Sequence, residues 1–105
     1  MSEPIRILIA DDHPVVREGL MTMLSSEEGM EVVATAVNGI EAVEKALALL
    51  PDVILMDLLM PRKDGVQATR EIVQQNPEAR ILVLTSFGDD QRVLQSIQAG
   101  AVGYL

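Results

Sequence analysis

The most constraining feature of the sequence is an apolar run at residues 53–56 that ends on Asp57. Pro51 and Pro61 bound this segment, so the run is too short for a helix and has the length of a strand. Because the run is apolar at every position, it predicts a strand that is buried on both faces, as in a parallel sheet. Asp57 then lies at the rim of the sheet, partly shielded from water, where a carboxylate is well placed to react.

Short apolar strands alternate with helical patterns along the whole chain. In the first predicted helix, Val16, Leu20, Met23 and Leu24 recur with helical spacing and are expected to form one core-facing stripe. Repeated strand–helix alternation predicts a parallel α/β sheet with helices on both faces and right-handed crossovers. The predicted strands are residues 5–10, 32–37, 53–56, 80–85 and an incomplete fifth strand at 101–105.

Composition excludes several classes of protein. The 105 residues fit one domain, and they include no cysteine and one histidine, which rules out disulfides and the usual zinc site. Sixteen acidic residues against eight basic residues argue against direct binding of nucleic acid by this domain. No apolar run approaches the ~18 residues of a membrane span, and the start lacks the features of a signal peptide. We therefore expect a cytoplasmic protein with no membrane association.

Acidic side chains follow two strands at what is expected to be the same edge of the sheet. Asp11 and Asp12 end the first strand, Asp57 ends the third, and Thr85 ends the fourth. If strands one and three are neighbours, their ends lie about 5 Å apart. Two carboxylates at that distance repel by roughly 3 kcal/mol at an effective dielectric constant of about 20. A raised pKa, a basic side chain or a bound cation can relieve this repulsion, and oxygen ligands favour Mg²⁺.

Asp57 in such a pocket has the chemistry of a phosphoacceptor. A carboxylate can attack phosphorus and form an aspartyl phosphate, while Mg²⁺ neutralises the transferring group and Thr85 donates to its oxygens. A basic side chain is expected nearby from strand five. Arg62 and Lys63 are close in sequence, but they follow Pro61 in a loop and are expected to be solvated.

Each candidate has a simpler structural interpretation. Asp57 could cap a helix, although no helix begins before Gly65. Asp12 or His13 is expected at the cap of the first helix before Pro14, and one of the acidic pair Asp11 and Asp12 is expected to act in this way. Thr85 taken alone is an ordinary β-branched strand residue. His13 is the only residue able to carry a phosphohistidine or bind a transition metal, but its position is typical of a partly exposed histidine at a helix entry.

Four segments together resemble a response regulator receiver domain. They are Ile-Ala-Asp-Asp-His-Pro at 9–14, Met-Asp-Leu-Leu-Met-Pro at 56–61 with Asp-Gly at 64–65, Leu-Thr-Ser at 84–86, and Gly-Ala-Val-Gly-Tyr at 100–104. The resemblance implies a flavodoxin-like, doubly wound sheet of five parallel strands in the order 2-1-3-4-5. The start of the chain is similar to the subfamily whose receivers precede a helix-turn-helix of the NarL/LuxR type.

The resemblance implies a role for each acidic residue. Asp57 would accept a phosphoryl group from a sensor histidine kinase. Asp12, Asp57 and the backbone carbonyl of Leu59 would hold Mg²⁺, and Asp11 would act on the ion through water. The domain would then be a switch with at most self-catalysed phosphoryl transfer and hydrolysis, and not an enzyme in the ordinary sense.

The resemblance also implies a switch and some missing parts. Thr85 would bond the phosphoryl oxygens, and Tyr104 would turn inward in response. The Lys that the family carries about three residues after Tyr104, its fifth helix and the DNA-binding domain are not among the 105 residues. We therefore expect a C-terminally truncated receiver domain that reaches DNA only through a missing helix-turn-helix domain. The uncovered sheet face is expected to form a homodimer or a swapped oligomer.

Two other functions compete with the switch. A phosphohydrolase of the haloacid dehalogenase type would need a second acid two residues after the nucleophile, where this chain has Leu59. A receiver-like interaction module that is never phosphorylated is the other alternative, and the intact acidic pair argues against it. No Gly-rich nucleotide loop follows any predicted strand.

Overall fold

The computed structural model describes residues 3–84 and 90–105, which form one parallel sheet with helices on both faces. The sheet order is β2-β1-β3-β4-β5, as predicted. The strands are β1 (Ile5–Ala10), β2 (Met30–Ala36), β3 (Val53–Asp57), β4 (Ile81–Leu84) and β5 (Gly103–Tyr104), and the helices are α1 (Pro14–Ser25), α2 (Gly39–Leu49), α3 (Gly65–Gln75) and α4 (Asp90–Ala99). Within the predicted fifth strand, Gly103 and Tyr104 lie opposite residues of β4, and the flanking N–H groups of Val102 and Leu105 donate to the carbonyls of Ile81 and Val83.

The larger half of the core lies between the sheet and helices α2, α3 and α4. Alternate residues of the central strands point to this side, so Ile54 and Met56 of β3 pack with Ala42 of α2 and Ile72 of α3. All four of these side chains are almost completely buried. Because this half of the core is dense, it holds the β3 strand and its carboxyl end in a fixed position.

The opposite face of the sheet is covered by α1 and holds a smaller cluster around Ile7, Ile9 and Leu55. Leu20 and Leu24 of α1 pack against this cluster, as predicted. The prediction of one core-facing stripe is nevertheless wrong in part, because Val16 and Met23 are 45% and 56% exposed. Helix α1 lies beside β1 and β2, so the sheet meets only one side of the stripe.

Local capping sets where the helices begin. Asp64 accepts a hydrogen bond from the backbone N–H of Gln67, and the Gln67 side chain accepts one from Asp64 in return, which forms a capping box at the start of α3. At α1 the N-cap residue is His13, one of the two candidates from the sequence, although its side chain makes no capping bond. The expectation that Asp11 or Asp12 caps α1 is therefore wrong, and both carboxylates remain available at the sheet edge.

Within residues 3–84 and 90–105, none of the helices has the length and apolar character needed to cross a membrane.

Candidate functional site

The pairing of β1 with β3 brings the acidic residues together. Ala10 of β1 lies opposite Met56 of β3 in the parallel register. The next residue of each segment, Asp11 and Asp57, therefore lies at the carboxyl end of its strand, and the two acids are side by side. Asp11 is buried, with 3% of its surface exposed. The side chains of Asp57 and Asp12 are 17% and 31% exposed. The structure thus places all three predicted acids at one edge of one sheet, in a pocket that opens to water.

His13 closes one side of this acidic pocket. Its ring atom Nδ1 lies 3.0 Å from Oδ1 of Asp11, 3.2 Å from Oδ1 of Asp12 and 3.7 Å from Oδ2 of Asp57. The backbone N–H of His13 also donates to Oδ1 of Asp11 at 2.8 Å, which fixes the turn between β1 and α1. Sequence reasoning placed His13 at a helix entry but did not foresee that its ring faces the acids. The available signal was its position directly after the acidic pair.

The close approach of these groups changes their ionisation. Burial, followed by the negative charge of Asp11, raises the pKa of Asp57 from an ordinary 3.8 to about 6, while the Leu59 N–H acts in the opposite direction. The pKa of His13 is also raised, chiefly by its hydrogen bond to Asp11 and then by the charge of Asp12. Both shifts favour the protonated form, because the acids repel one another and attract the imidazole.

Asp12 offers an oxygen that a cation could use. Among the described residues, 3–84 and 90–105, its buried Oδ1 atom has no hydrogen-bond partner, which is costly for a carboxylate oxygen. One ligand atom from each of Asp11, Asp12, His13 and Asp57 lies within 4.8 Å of the others. A divalent ion at this position would satisfy the buried oxygen and offset the repulsion among the carboxylates.

Two glycines allow close backbone contacts to the loop between β3 and α3. The Gly65 N–H donates to the carbonyl of Leu58 at 2.9 Å, and the Gly39 N–H donates to the carbonyl of Lys63 at 3.0 Å. A Cβ on Gly65 would lie 2.2 Å from the carbonyl oxygen of Asp57, and a Cβ on Gly39 would lie 2.1 Å from that of Lys63. Neither approach was foreseen from sequence, because both depend on where distant segments meet.

The remaining predicted residues are placed as follows. The Leu59 N–H donates to Oδ1 of Asp57 at 3.4 Å, so the Leu59 peptide is adjacent to the pocket. Tyr104 is 62% exposed on β5 and therefore points outward. Thr85 lies outside the described residues.

The two basic residues of the loop differ from each other. Arg62 is exposed, as predicted, with a φ of 70°. The prediction that Lys63 is solvated is wrong, because its side chain is only 26% exposed and its ammonium group forms an ion pair with Glu71 of α3. This ion pair ties the loop that follows Asp57 to helix α3.

Comparison with known proteins agrees with this geometry. Residues 7–105 match the family described as "Response regulator receiver domain". The transcriptional regulatory protein LiaR of Bacillus subtilis is 48% identical over 101 residues, which are 96% of this chain and 48% of LiaR. The chain thus spans about half the length of this curated relative.

Solved structures show the same fold. The signal receiver domain of NarL from Mycobacterium tuberculosis superposes with a TM-score of 0.93 at 36% identity, over 99% of this chain and 84% of that one. A CheX–CheY–BeF3–Mg²⁺ complex from Borrelia burgdorferi matches with a TM-score of 0.90 at 28% identity, over 98% of this chain and 78% of that one.

The family match covers nearly the whole chain, and the strand order, the acidic edge and the relatives agree with it. The relatives include NarL and LiaR, as expected for the NarL/LuxR-type subfamily. The chain belongs to the response regulator receiver domain family, and its curated relatives include transcriptional regulatory proteins with which it shares this domain.

Proposed function

We propose that Asp57 is the residue that accepts the phosphoryl group. The single observation that supports this most strongly is its position at the carboxyl end of β3, where Oδ2 faces Nδ1 of His13 and where burial, followed by the charge of Asp11, raises the pKa of Asp57. In the proposed step, a carboxylate oxygen of Asp57 attacks phosphorus of the donor. The bond from phosphorus to the donor breaks, and the donor leaves with the electron pair.

The proposed cofactor is Mg²⁺, held by Asp12, Asp57 and the backbone carbonyl of Leu59, with Asp11 acting through water. The buried, unpartnered Oδ1 of Asp12 supports this assignment, since an oxygen ligand without a hydrogen bond is available to an ion. When bound, the ion supplies charge neutralisation for the phosphoryl oxygens. The Borrelia CheY complex, which contains BeF3 and Mg²⁺, also supports the proposal. Thr85 and Tyr104 are proposed as the switch residues.

The proposed partners follow from the same role. The phosphoryl donor is a sensor histidine kinase, which draws on ATP and so acts in the cytoplasm, where we place this domain. DNA is reached only through a further C-terminal helix-turn-helix domain of the full-length protein, since the chain carries a net charge of −8. The relative LiaR is a transcriptional regulatory protein about twice as long as this chain.

Phosphorylation is tested with acetyl phosphate and the full-length protein. We expect Mg²⁺-dependent addition of one phosphoryl group, measured by intact-protein mass, and complete loss of labelling in Asp57→Asn. Asp64→Asn is the matched control, because this nearby carboxylate caps α3 and asparagine caps a helix equally well. Absence of label in the wild type would contradict the proposal, as would full labelling of Asp57→Asn.

The main alternative is a receiver-like interaction module that is not phosphorylated. It would bind Mg²⁺ in the acidic pocket and yet take no label from acetyl phosphate. Leu59 occupies the position where a phosphohydrolase of the haloacid dehalogenase type needs its second acid, so sustained turnover of phosphate esters is not expected.

We also propose that the 105-residue chain self-associates, as a homodimer or by exchange of an element. On the α1 face of the sheet, Leu82 and Leu84 of β4 are only half-buried, and Val16 and Met23 of α1 are exposed. Burial of such side chains is favourable at about 25 cal/mol per Å². Analytical ultracentrifugation of the chain should show a concentration-dependent rise in mass, and Leu84→Lys should shift the equilibrium toward monomer. A wild-type chain that stays monomeric at millimolar concentration would contradict this proposal.

A further inference from the structure

We propose that His13 is a direct ligand of the metal site, and that its ring nitrogen makes the pocket prefer Co²⁺, Ni²⁺ and Zn²⁺ over Mg²⁺. The inference rests on the cation site of the proposed function. It adds His13 to the acidic residues that were assigned to that site. Imidazole nitrogen suits these transition metals, whereas Mg²⁺ is bound through oxygen.

The spacing of the ring nitrogen supports direct coordination. Two ligands at right angles on an octahedral ion, each about 2.1 Å from it, lie about 3.0 Å apart. Nδ1 of His13 lies 3.0, 3.2 and 3.7 Å from carboxylate oxygens of Asp11, Asp12 and Asp57. The distances to Asp11 and Asp12 match the spacing of neighbouring ligands, and the distance to Asp57 exceeds it by 0.7 Å. After small side-chain shifts, one ion can therefore contact the nitrogen together with oxygens of Asp12 and Asp57, while Asp11 acts through water.

Hydrogen bonds from Nδ1 of His13 do not satisfy all of the carboxylate oxygens around it. A neutral imidazole that donates from Nδ1 has one hydrogen there, and the closest acceptor is Oδ1 of Asp11 at 3.0 Å. Oδ1 of Asp12 is 3.2 Å from the same nitrogen, but it is buried and has no hydrogen-bond partner in the part of the chain that the structure describes. A metal ion that replaces the hydrogen on Nδ1 of His13 can contact several oxygens at once, and one of them is Oδ1 of Asp12.

The charge and mobility of His13 also suit this role. Three carboxylates already exceed the charge of a divalent ion, so a neutral nitrogen adds a ligand without further repulsion. The His13 side chain is 64% exposed and makes no capping bond to α1. It can therefore turn toward an ion that enters from water without breaking a helix contact.

The inference is tested by calorimetric titration of tag-free protein with Co²⁺ and with Mg²⁺, at about pH 8 so that protons compete weakly for the ligands. In His13→Gln we expect Co²⁺ affinity to fall by about tenfold or more. Removal of a residue that only hydrogen-bonds to a metal ligand already costs about tenfold in affinity, so removal of a ligand should cost at least as much. Mg²⁺ affinity should stay within about twofold of the wild type. Asp64→Asn should leave both affinities unchanged.

Two results would overturn the inference. One is an unchanged Co²⁺ affinity in His13→Gln, and the other is an equal loss for both ions, which would indicate a structural role for His13. If Mg²⁺ binds and Asp57 is phosphorylated, either result refutes the nitrogen ligand and leaves the proposed function standing. Absence of Mg²⁺ binding in the wild type would instead refute the proposed function.

A second measurement does not depend on the variant. His13 is the only histidine in the chain, so ¹⁵N NMR of the tag-free wild type reports one imidazole. Zn²⁺ should shift the Nδ1 resonance at one equivalent, because coordination replaces the hydrogen on that nitrogen. A shift of Nε2 alone, or no shift, would contradict coordination through Nδ1.

Discussion

Replacement of Gly65 with alanine is expected to lower the free energy of unfolding by about 2–4 kcal/mol. The φ of Gly65 lies outside the left-handed region, so the cost is steric and does not come from backbone strain. A Cβ at this position would lie 2.2 Å from the carbonyl oxygen of Asp57 and 2.8 Å from Cα of Leu58, which are backbone atoms that cannot turn away. The start of α3 must then move away from the carboxyl end of β3. Urea denaturation measures the loss.

Gly19→Ala is the matched control for this prediction. Gly19 lies in an exposed part of α1, and a Cβ there meets nothing within 4 Å. Alanine at that position should stabilise the protein by about 0.5–1 kcal/mol, because it restricts the unfolded chain and favours the helix. Opposite signs for the two Gly→Ala changes are the expected result. A Gly65→Ala protein as stable as the wild type would show that β3 and α3 are not in close contact.

Asp57→Asn is expected to stabilise the metal-free protein by about 1–2 kcal/mol at neutral pH. Burial and the charges of Asp11 and Asp12 raise the pKa of Asp57 from 3.8 to about 6, so the ionised carboxylate is less favourable in the folded state than in the unfolded state. Asparagine keeps the shape of the side chain and removes this charge. The stated gain is smaller than the full pKa difference implies, because water screens a carboxylate at the open edge of the pocket.

The pH dependence of this gain has a defined sign. Between about pH 4 and about pH 6, the folded wild type holds a proton on Asp57 that the unfolded chain has released. The contribution of Asp57 to the free energy of unfolding therefore falls as the pH rises through this window. The difference between Asp57→Asn and the wild type should be small near pH 4, grow up to about pH 6 and stay constant above it.

Magnesium should reverse the order of the two proteins. An ion that binds only the folded state adds about 2.7 kcal/mol of stability at a concentration 100 times its dissociation constant. We expect this gain in the wild type and in Asp64→Asn, but not in Asp57→Asn, which lacks one of the proposed ligands. Thermal unfolding with and without EDTA measures it, and equal stabilisation of all three proteins would place the ion outside the pocket.

Much of the fold was determined by local sequence patterns. The apolar run before Asp57 and the strand–helix alternation predicted a parallel sheet, and the resemblance to receiver domains supplied the order 2-1-3-4-5, which the structure confirms. These patterns succeed because a strand buried on both faces must be apolar at nearly every position. The convergence of Asp11, Asp12 and Asp57 was predictable for the same reason, since the carboxyl ends of parallel strands share one edge.

Tertiary structure alone decided the finer arrangement of the site. The ion pair between Lys63 and Glu71 and the close approach of Gly65 to Asp57 have no signature in the sequence, and for His13 the sequence gives its position after the acidic pair but not the distances from Nδ1 to the three acids. Each depends on how segments from different elements pack to within an ångström or less. The periodicity of a sequence predicts which face of a helix or strand a side chain occupies. The distance between two elements is set by the packing of the whole core.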